Sequence, residues 1–426
     1  MDRREEYAPQ NIGVNRVFAG DKVMWVVIII LLVYSLFVVY SNTAYEGARS
    51  AGQELIQQIL FICFGMTGFF VARMLPMKFI QRCTLLFYLG SLALTLIMVV
   101  THKDASAARG LSIGGFAFQP FEFLKFATIL HLARQLSVRQ QQMDKISIVP
   151  SFNPKNWSKK NRPKQMEILT KHTLPILLPI AACCVLTIKF SNSTTLIIGA
   201  SCLAMMFLSR VKGKDLGKIC LVGALAALSV ISIYGSKDSR SGTAVSRLSS
   251  WTPDVITKSV VVEKDGEEYY KRHEGEHDQT LYSKLSIASG GLFGKGPGQS
   301  ANRSLSEADK DMAFAFLVEE YGLLGGLVII FAFLVMFYRS MVIFLKCGTA
   351  FPGLMVLGIG TVIVLQAFLH MMVSVSLFPL TGQQLPIVSK GGTSLVLVLT
   401  MLGLLMNVSA KAEIQEEQQK LKEKTK

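Results

Sequence analysis

The sequence predicts an all-α polytopic membrane protein with about ten transmembrane helices and a large extracytoplasmic loop between helices 7 and 8. Two observations predict this fold class. Hydrophobic residues account for 51% of the 426 residues and charged residues for only 17%, compared with about 25% charged residues in an ordinary soluble chain. The apolar residues are also gathered into segments of roughly 20 residues, which is the length needed to cross a hydrocarbon core of about 30 Å.

Ten segments are predicted to span the membrane, and seven of them are continuous apolar stretches. These seven are Val23–Tyr40, Leu55–Ala72, Thr84–Val100, Leu216–Tyr234, Met312–Phe337, Gly353–Val373 and Thr393–Val408. Three weaker segments complete the set, namely Phe118–Leu136, Thr173–Ile188 and Ser193–Leu208. No small-residue cleavage site follows the first segment, so we expect a retained helix there and not a signal peptide.

The positions of the charged residues predict the orientation of the chain. Lys and Arg exceed Asp and Glu by 15, and ten crossings place both termini on one side. With cytoplasmic termini, the cytoplasmic segments carry +16 and all other residues −1, as the positive-inside rule requires. The predicted organisation is a cytoplasmic N-terminal tail (1–22), a membrane domain (23–409) containing the extracytoplasmic loop 235–310, and a cytoplasmic C-terminal tail (410–426). This mixed-charge tail is expected to be a short solvated helix or disordered.

The same distribution excludes nucleic acid as a partner. The basic residues lie in short connectors between spans, without aromatic residues between them and without a single basic stripe. The densest run, 155–164, is typical of a cytoplasmic loop attracted to anionic lipid. All seven cysteines lie in or beside spans, so we expect no disulfide in the outer loops and no zinc or haem site.

The outer loop and the span that follows it contain the first candidate site residues. Ser283–Gly298 is rich in glycine, which is typical of a close backbone approach to a ligand, of a re-entrant hairpin or of a flexible linker. Asp311 begins the eighth span, and Glu319 and Glu320 lie about two turns inside it. An Asp at a helix start is often an N-cap, but carboxylates deeper in the span are costly unless they face a polar cavity or a partner.

Further polar residues lie near the outer ends of other spans. They are Arg109, Glu122, Lys125, Lys189 and Lys390. Glu122 and Lys125 are three residues apart and can pair on one helix face. Each residue alone is best explained as a structural ion pair or as a side chain that reaches the interface. Together they suggest an outward-facing polar cavity suited to an anionic ligand. His370, in the ninth span, is expected to be a hydrogen-bonded packing residue.

Four segments resemble the motifs of the SEDS family (shape, elongation, division and sporulation), and they occur in the family's order. The segments are FQPFEFLKFATILHLA, IASGGLFGKGPGQS, LSEADKDMAFAFLVEEYGLLGG and LFPLTGQQLPIVSKGGTSL. The last two are the most specific. The sequence departs from the family pattern at Phe121, at Ser191–Asn192, at Asp309–Lys310 and at Lys390, which stands where the family has Tyr. The last two segments are more similar to the division-type members than to the rod-elongation type.

The resemblance implies a peptidoglycan glycosyltransferase that polymerises lipid II together with a class B penicillin-binding protein. It implies a multi-pass protein of the bacterial cytoplasmic membrane, at the division septum with other divisome membrane proteins. Asp311 falls on the family's catalytic Asp. Glu122 and Lys125 fall on charged motif positions, Arg109 on the basic position before them, and Lys390 beside a glycine pair. With Lys189 and Glu319, these are the candidate substrate-binding residues.

The predicted chemistry is an inverting transfer in which Asp311 is the general base for a sugar hydroxyl. Positive charge for the leaving pyrophosphate could come from Arg109, Lys125 or Lys390. A bound divalent cation, Mg²⁺ or Mn²⁺, is an alternative source; no cofactor follows with certainty. Three alternatives stay open: a lipid II flippase, a rod-elongation paralogue of the same enzyme, and a non-catalytic scaffold. The segment 260–279 contains an alternating apolar start and an Asp-Gly turn, which can form a small β-hairpin.

Overall fold

The computed structural model describes residues 19–43, 48–101, 111–113, 116–143, 147–150, 162–188, 191–234, 261–264, 267–270, 276–300 and 311–424. These residues are predominantly helical. The helices are α1 (Lys22–Thr43), α2 (Ala48–Met74), α3 (Met77–Thr101), α4 (Pro120–Met143), α5 (Arg162–Ile168), α6 (Leu174–Ile188), α7 (Asn192–Leu208), α8 (Gly213–Tyr234), α9 (Glu276–Gly290), α10 (Ala313–Lys346), α11 (Ala350–Ser374) and α12 (Thr393–Lys424). A π-helical turn, Leu169–Thr173, joins α5 to α6.

Two small antiparallel hairpins accompany the helices. Strands β1 (Leu111–Ile113) and β2 (Phe116–Phe118) pair immediately before α4, and no feature of the sequence predicted them. Strands β3 (Val261–Lys264) and β4 (Glu267–Tyr270) pair with Val261 opposite Tyr270. The second hairpin confirms the hairpin predicted within 260–279.

Seven helical segments in the described part of the chain are long and apolar enough to cross a membrane. They are Lys22–Ser41, Gly52–Met74, Met77–Thr101, Arg162–Ile188, Ala313–Lys346, Ala350–Ser374 and Thr393–Glu416. Three of the ten predicted spans are not among these seven segments: Phe118–Leu136, Ser193–Leu208 and Leu216–Tyr234. They coincide with α4, α7 and α8, and α7 is apolar but has only 17 residues. A polytopic membrane fold is therefore confirmed, whereas the number ten stays a prediction.

Helix α11 lies at the centre of the bundle and packs against α4, α7, α10 and α12. In its most apolar window 83% of the residues are buried, compared with 17% for Arg162–Ile188 at the periphery. An apolar helix buried on all sides belongs to the core of a large bundle. Polar side chains on α11 therefore contact protein and not lipid.

The C-terminal helix α12 continues beyond the predicted span without a break. It extends to Lys424, and residues after Val408 contact other parts of the chain. The Gly20 N–H donates to Glu413 Oε2 (2.8 Å), and Lys346 Nζ pairs with Glu416 Oε2 (2.7 Å). The segment predicted as a separate tail from residue 410 thus begins as a continuation of the last span.

Helices α1 and α10 pack side by side and are joined at both ends. Arg339 Nε donates to Asp21 Oδ2 (2.6 Å), a contact that we call the inner joint. The Ser41 hydroxyl donates to Glu320 Oε1, which we call the outer joint. Each helix covers about 20 residues between the joints, or about 30 Å. This length matches the thickness of a hydrocarbon core, so the two joints are the expected levels of its two boundaries, and the names inner and outer follow the predicted orientation of the chain.

Candidate active site

The first turn of α4 carries a buried ion pair that the sequence predicted. Lys125 is fully buried, and its Nζ donates to Glu122 Oε2 (2.6 Å) and to Gln366 Oε1 of α11 (2.6 Å). Pro120 begins the helix, and Glu122 lies in its first turn, where the positive end of the helix dipole favours a carboxylate. We call Glu122, Lys125 and Gln366 the lysine cluster.

The lysine cluster continues into the chain segment that precedes α12. Gln366 Nε2 donates to the Gln384 carbonyl (3.0 Å). One turn further along α11, His370 Nδ1 lies 2.7 Å from the Gln383 carbonyl, while its Nε2 accepts from the Phe314 N–H of α10 (3.3 Å). The two contacts require a neutral imidazole protonated on Nδ1. His370 is thus hydrogen-bonded, as predicted, and it links α10 to Gln383.

Gln383 and Gln384 form hydrogen bonds through their side chains as well as through their backbone carbonyls. Gln383 Nε2 lies 3.0–3.1 Å from three hydroxyl oxygens at the start of α7, those of Ser191, Ser193 and Thr194. The Ser394 hydroxyl donates to Gln384 Oε1 (3.0 Å). Three residues beyond Gln384, Ile387 has a φ of 69°, a left-handed conformation that is strained for a β-branched residue. The segment is therefore fixed from α7, α11 and α12 at once.

A small polar cavity lies between the lysine cluster and this segment. Its polar lining comes from Glu122, Gln366, Gln384, Ser389 and Ser394. Its volume is about 10 Å³, which is close to the space needed by one water molecule. Within the described residues, the space beside the buried ammonium of Lys125 is thus filled largely by protein. These two bonds use two of the three N–H donors of the Lys125 ammonium, those to Glu122 and to Gln366.

Asp311 lies at the start of α10 and is 8% exposed. The helix begins at Ala313, so that Met312 occupies the N-cap position and Asp311 precedes it. Met312 offers no side-chain cap; the second N–H of the helix, that of Phe314, is instead bonded to His370. Asp311 is therefore not the N-cap residue of α10.

The remaining predicted cations have different outcomes. Lys390 Nζ pairs with Glu54 Oε1 of α2 (2.6 Å), and both side chains are about one-quarter exposed. This contact joins α2 to the segment before α12. Arg109 and Lys189 lie outside the described residues, as do Asp309 and Lys310.

Glu319, also predicted as a substrate-binding residue, belongs to a second cluster of buried carboxylates. Its Oε1 accepts from Lys295 Nζ (2.6 Å) and its Oε2 from the Ser300 hydroxyl (2.6 Å). The neighbouring Glu320 Oε1 accepts from the Gly298 N–H (3.0 Å) in addition to Ser41. Glu319 is fully buried, and both of its oxygens accept from donors of the loop 290–300. We call residues 290–300 together with 319–324 the glycine clasp.

The backbone of the glycine clasp explains why the loop is rich in glycine. Helix α10 is interrupted at Gly322, which has φ 72° and ψ −177°. The loop supplies partners for the groups around this break: the N–H groups of Lys295 and Gly296 donate to the carbonyls of Glu319 and Glu320 (both 3.0 Å). A Cβ at Gly294 would collide with the Glu320 carbonyl. The glycines thus allow a close approach to the backbone of α10, a partner that the sequence did not predict.

Sequence reasoning missed several residues of the site. Gln366, Gln383, Gln384 and Glu54 were not singled out, although a polar Gln inside an apolar span is itself a signal. The partners of these residues are far away in the chain, which sequence spacing does not show. The described residues contain no group of three or more His, Cys, Asp or Glu side chains that could hold a metal ion.

Comparisons with known proteins connect this architecture to one family. The family FTSW_RODA_SPOVE, described as cell cycle protein, matches residues 21–414. The probable peptidoglycan glycosyltransferase FtsW of Bacillus subtilis (strain 168) is 27% identical over 406 residues, covering 92% of this chain and 91% of the relative. Stage V sporulation protein E of the same organism is 26% identical over 398 residues, covering 91% and 96%.

Two solved structures share the fold. A chain of a peptidoglycan synthase complex, in which polymerization and crosslinking are coordinated, has a TM-score of 0.65 and 18% identity, covering 93% of this chain and 99% of that one. The rod shape determining protein RodA of Thermus thermophilus has a TM-score of 0.58 and 19% identity, covering 92% and 97%. The likeness extends over almost the whole membrane domain.

Proposed function

The chain belongs to the FtsW/RodA/SpoVE family of cell cycle proteins, and from this premise we propose that it is a peptidoglycan glycosyltransferase that polymerises lipid II into glycan strands. The names of its curated relatives support the activity. In the proposed reaction Asp311 is the general base, the configuration at the anomeric carbon is inverted, and undecaprenyl pyrophosphate is released.

The position of Asp311 is the observation that carries the proposal. Asp311 lies nine residues beyond Glu320 and the outer joint, or about 13 Å along the helix axis. The headgroup layer on one side of a bilayer is roughly 5–8 Å thick. A lipid-linked disaccharide holds its pyrophosphate in that layer and its sugars just beyond it. Asp311 is therefore at the depth of the sugars, where a base for a sugar hydroxyl is needed.

The lysine cluster lies deeper, at the level expected for the pyrophosphate. His370 contacts Phe314, which is six residues beyond Glu320, and Gln366 is one helical turn, about 5–6 Å, closer to the membrane centre. The Lys125 ammonium is thus about 3 Å outside the outer boundary. The vertical separation between base and cation is about 10 Å, which suits a sugar held above its phosphate groups.

The proposed step needs one base and one cationic group. Asp311 accepts the proton of the 4-hydroxyl of one sugar. The oxygen of that hydroxyl attacks the anomeric carbon of the second sugar, and the bond from this carbon to the pyrophosphate oxygen breaks. Lys125 stabilises the charge that develops on the leaving pyrophosphate, with its third N–H or with the N–H that bonds Gln366 in this structure. Arg109 and Lys390 are further candidates for this role. No step is assigned to a metal ion.

The finer assignments rest on the same premise. We propose ten spans with cytoplasmic termini, in which α4, α7 and α8 supply the three crossings beyond the seven apolar helices. A class B penicillin-binding protein is the proposed partner, which the fold shared with a chain of a peptidoglycan synthase complex supports. The sequence features of the last two motifs favour the division role, at the septum with other divisome proteins, over the rod-elongation role.

The activity is tested by a gel assay. The purified protein and its transpeptidase partner are incubated with labelled lipid II, and the glycan strands are resolved on the gel. We expect Asp311→Asn to make no polymer while it still binds lipid II. Glu416→Gln is the matched control, because it also replaces a carboxylate with an amide but removes only an exposed pair, which is worth little. Normal polymer from Asp311→Asn would contradict the assignment.

Lipid transport is the second candidate, because α10 is a broken helix with buried acids. Transporters place such breaks near the bilayer midplane in two corresponding halves. The break at Gly322 lies only two residues from the outer joint, which favours a catalytic site at the surface. Translocation of labelled lipid II in proteoliposomes distinguishes the two functions: a transporter flips lipid II in the absence of polymerisation, whereas the proposed enzyme does not.

A further inference from the structure

The tip of the glycine clasp exposes two large apolar side chains. Leu292 is 59% and Phe293 80% exposed, although the loop that carries them is fixed to α10. We propose that Leu292 and Phe293 are inserted into the hydrocarbon of the membrane leaflet at the outer joint. The occupant of this surface is thus lipid acyl chains.

The depth of the tip follows from the outer joint. The outer boundary lies at Ser41 and Glu320, at the end of the two helical lengths of about 30 Å. The Leu323 N–H donates to the Gly291 carbonyl (2.9 Å) and the Leu324 N–H to the Leu292 carbonyl (3.3 Å). The tip is therefore level with residues 323 and 324, about 5 Å on the hydrocarbon side of the boundary.

Several backbone groups of the loop are paired, which favours entry into hydrocarbon because unpaired N–H and C=O groups are costly there. The Gly294 N–H donates to the Gly290 carbonyl (2.8 Å), and the next two N–H groups donate to carbonyls of α10. The N–H of Gly298 reaches Ser41 Oγ (2.8 Å). In turn, the carbonyls of Gly291 and Leu292 accept the N–H groups freed by the break at Gly322. The loop and the broken helix thus form backbone hydrogen bonds with each other in both directions.

Charge and neighbouring surface support the same occupant. The single cation near the tip in the described loop, Lys295, is paired with the buried Glu319 (2.6 Å). The tip is continuous with the exposed apolar flank of α10, which consists of Leu323, Leu324, Leu327, Val328 and Phe331. An apolar strip that continues down a spanning helix faces acyl chains. The inserted tip would hold α9 and the first turns of α10 at a fixed depth.

Tryptophan fluorescence tests this proposal in the full-length protein reconstituted into phosphatidylcholine vesicles. The variant Phe293→Trp adds one reporter to the three native tryptophans, and the signal is the difference from wild type. The first quencher is phosphatidylcholine brominated near the top of its acyl chains, and the second is aqueous iodide. Phe331→Trp, on the lipid-facing flank, and Gln418→Trp, exposed on the α12 extension, are the matched controls.

We expect the brominated lipid to quench the reporter at position 293 at least half as strongly as the reporter at position 331. We also expect iodide to quench it several-fold less than the reporter at position 418. Quenching by iodide without quenching by brominated lipid overturns the proposal, since the tip would then lie in water. Protection from both quenchers also overturns it, since protein would cover the tip. Neither outcome depends on the role of Asp311.

Discussion

The glycine clasp and the lysine cluster both bury carboxylates near the outer ends of spanning helices, yet they are built in different ways. In the clasp, Glu319 and Glu320 accept from backbone N–H groups, hydroxyls and Lys295, beside a ladder of backbone hydrogen bonds. In the lysine cluster, Glu122, Lys125 and Gln366 touch only through the ends of their side chains. Backbone hydrogen bonds stabilise the fold, whereas hydrogen bonds between side-chain ends can be replaced by hydrogen bonds to a ligand.

This difference separates stability from activity. Disrupting the clasp changes which backbone groups are satisfied, so it should reduce the free energy of unfolding. Replacing both charged residues of the lysine cluster, Glu122 and Lys125, leaves the backbone hydrogen bonds unchanged. This change should reduce the rate of the proposed reaction. The predictions below test this separation, beginning with the largest expected effect.

The variant Gly294→Ala should lower the free energy of unfolding by about 3 kcal/mol or more. Gly294 has φ 82°, and a Cβ there would collide with the Glu320 carbonyl, which adds a clash to the backbone strain. Gly291→Ala is the control, because φ is also positive (56°) but nothing lies within 4 Å of its Cβ position. Gly291→Ala should lower the free energy of unfolding by only about 1–2 kcal/mol. Thermal unfolding in detergent measures both; equal losses would show that the loop does not approach α10.

The variant Glu319→Gln should lower the free energy of unfolding by about 2 kcal/mol, since it removes the charge that pairs with Lys295 inside the clasp. The loss stays below that of a fully buried pair because Lys295 is 29% exposed and can turn toward water. The polymerisation rate per folded molecule should change less than twofold. A large loss of rate with an unchanged melting temperature would place Glu319 among the ligand-binding residues after all.

The double variant Glu122→Gln with Lys125→Met should reduce the polymerisation rate at least tenfold, which is about 1.4 kcal/mol. Both charges are removed together, so no unpaired charge is left buried and the fold should keep most of its stability. Melting temperature and initial rate are measured on the same preparation. A normal rate would remove Lys125 from the proposed stabilisation of the leaving pyrophosphate.

The smallest effect is expected at His370. The variant His370→Leu removes the acceptor of the Phe314 N–H, worth about 1 kcal/mol, and loosens the first turn of α10 next to Asp311. We expect a fall of about fivefold in kcat with little change in KM. His370→Gln offers an oxygen to the same N–H and should recover most of the rate. If Leu and Gln behave alike, the hydrogen bond to Phe314 has no part in positioning Asp311.

The sequence predicted the parts of the molecule that depend on local spacing. The Glu122–Lys125 pair lies three residues apart on one helix, and the hairpin of β3 and β4 has an Asp-Gly turn signal, so neighbouring residues suffice to predict both. The apolar runs were long enough to place every predicted span on a helix.

Features that depend on distant partners could not be predicted in this way. Ser41 meets Glu320 across 279 positions and Gln383 meets Ser193 across 190, which no local pattern records. The ion pair of Lys390 with Glu54 could not be predicted either, because the two residues are remote in the chain. The break at Gly322 was also missed, since a single glycine in an apolar run does not by itself interrupt a helix.

The most direct measurement of the central claim compares Asp311→Asn with Glu319→Gln, two carboxylate-to-amide changes eight residues apart at the start of α10. The initial rate of glycan-strand formation and the melting temperature are recorded for both variants. A general base contributes roughly 10²–10⁴-fold, so we predict that Asp311→Asn loses at least 100-fold in rate at an unchanged melting temperature, while Glu319→Gln melts earlier and keeps its rate. An Asp311→Asn variant that polymerises lipid II within a fewfold of wild type would contradict the account.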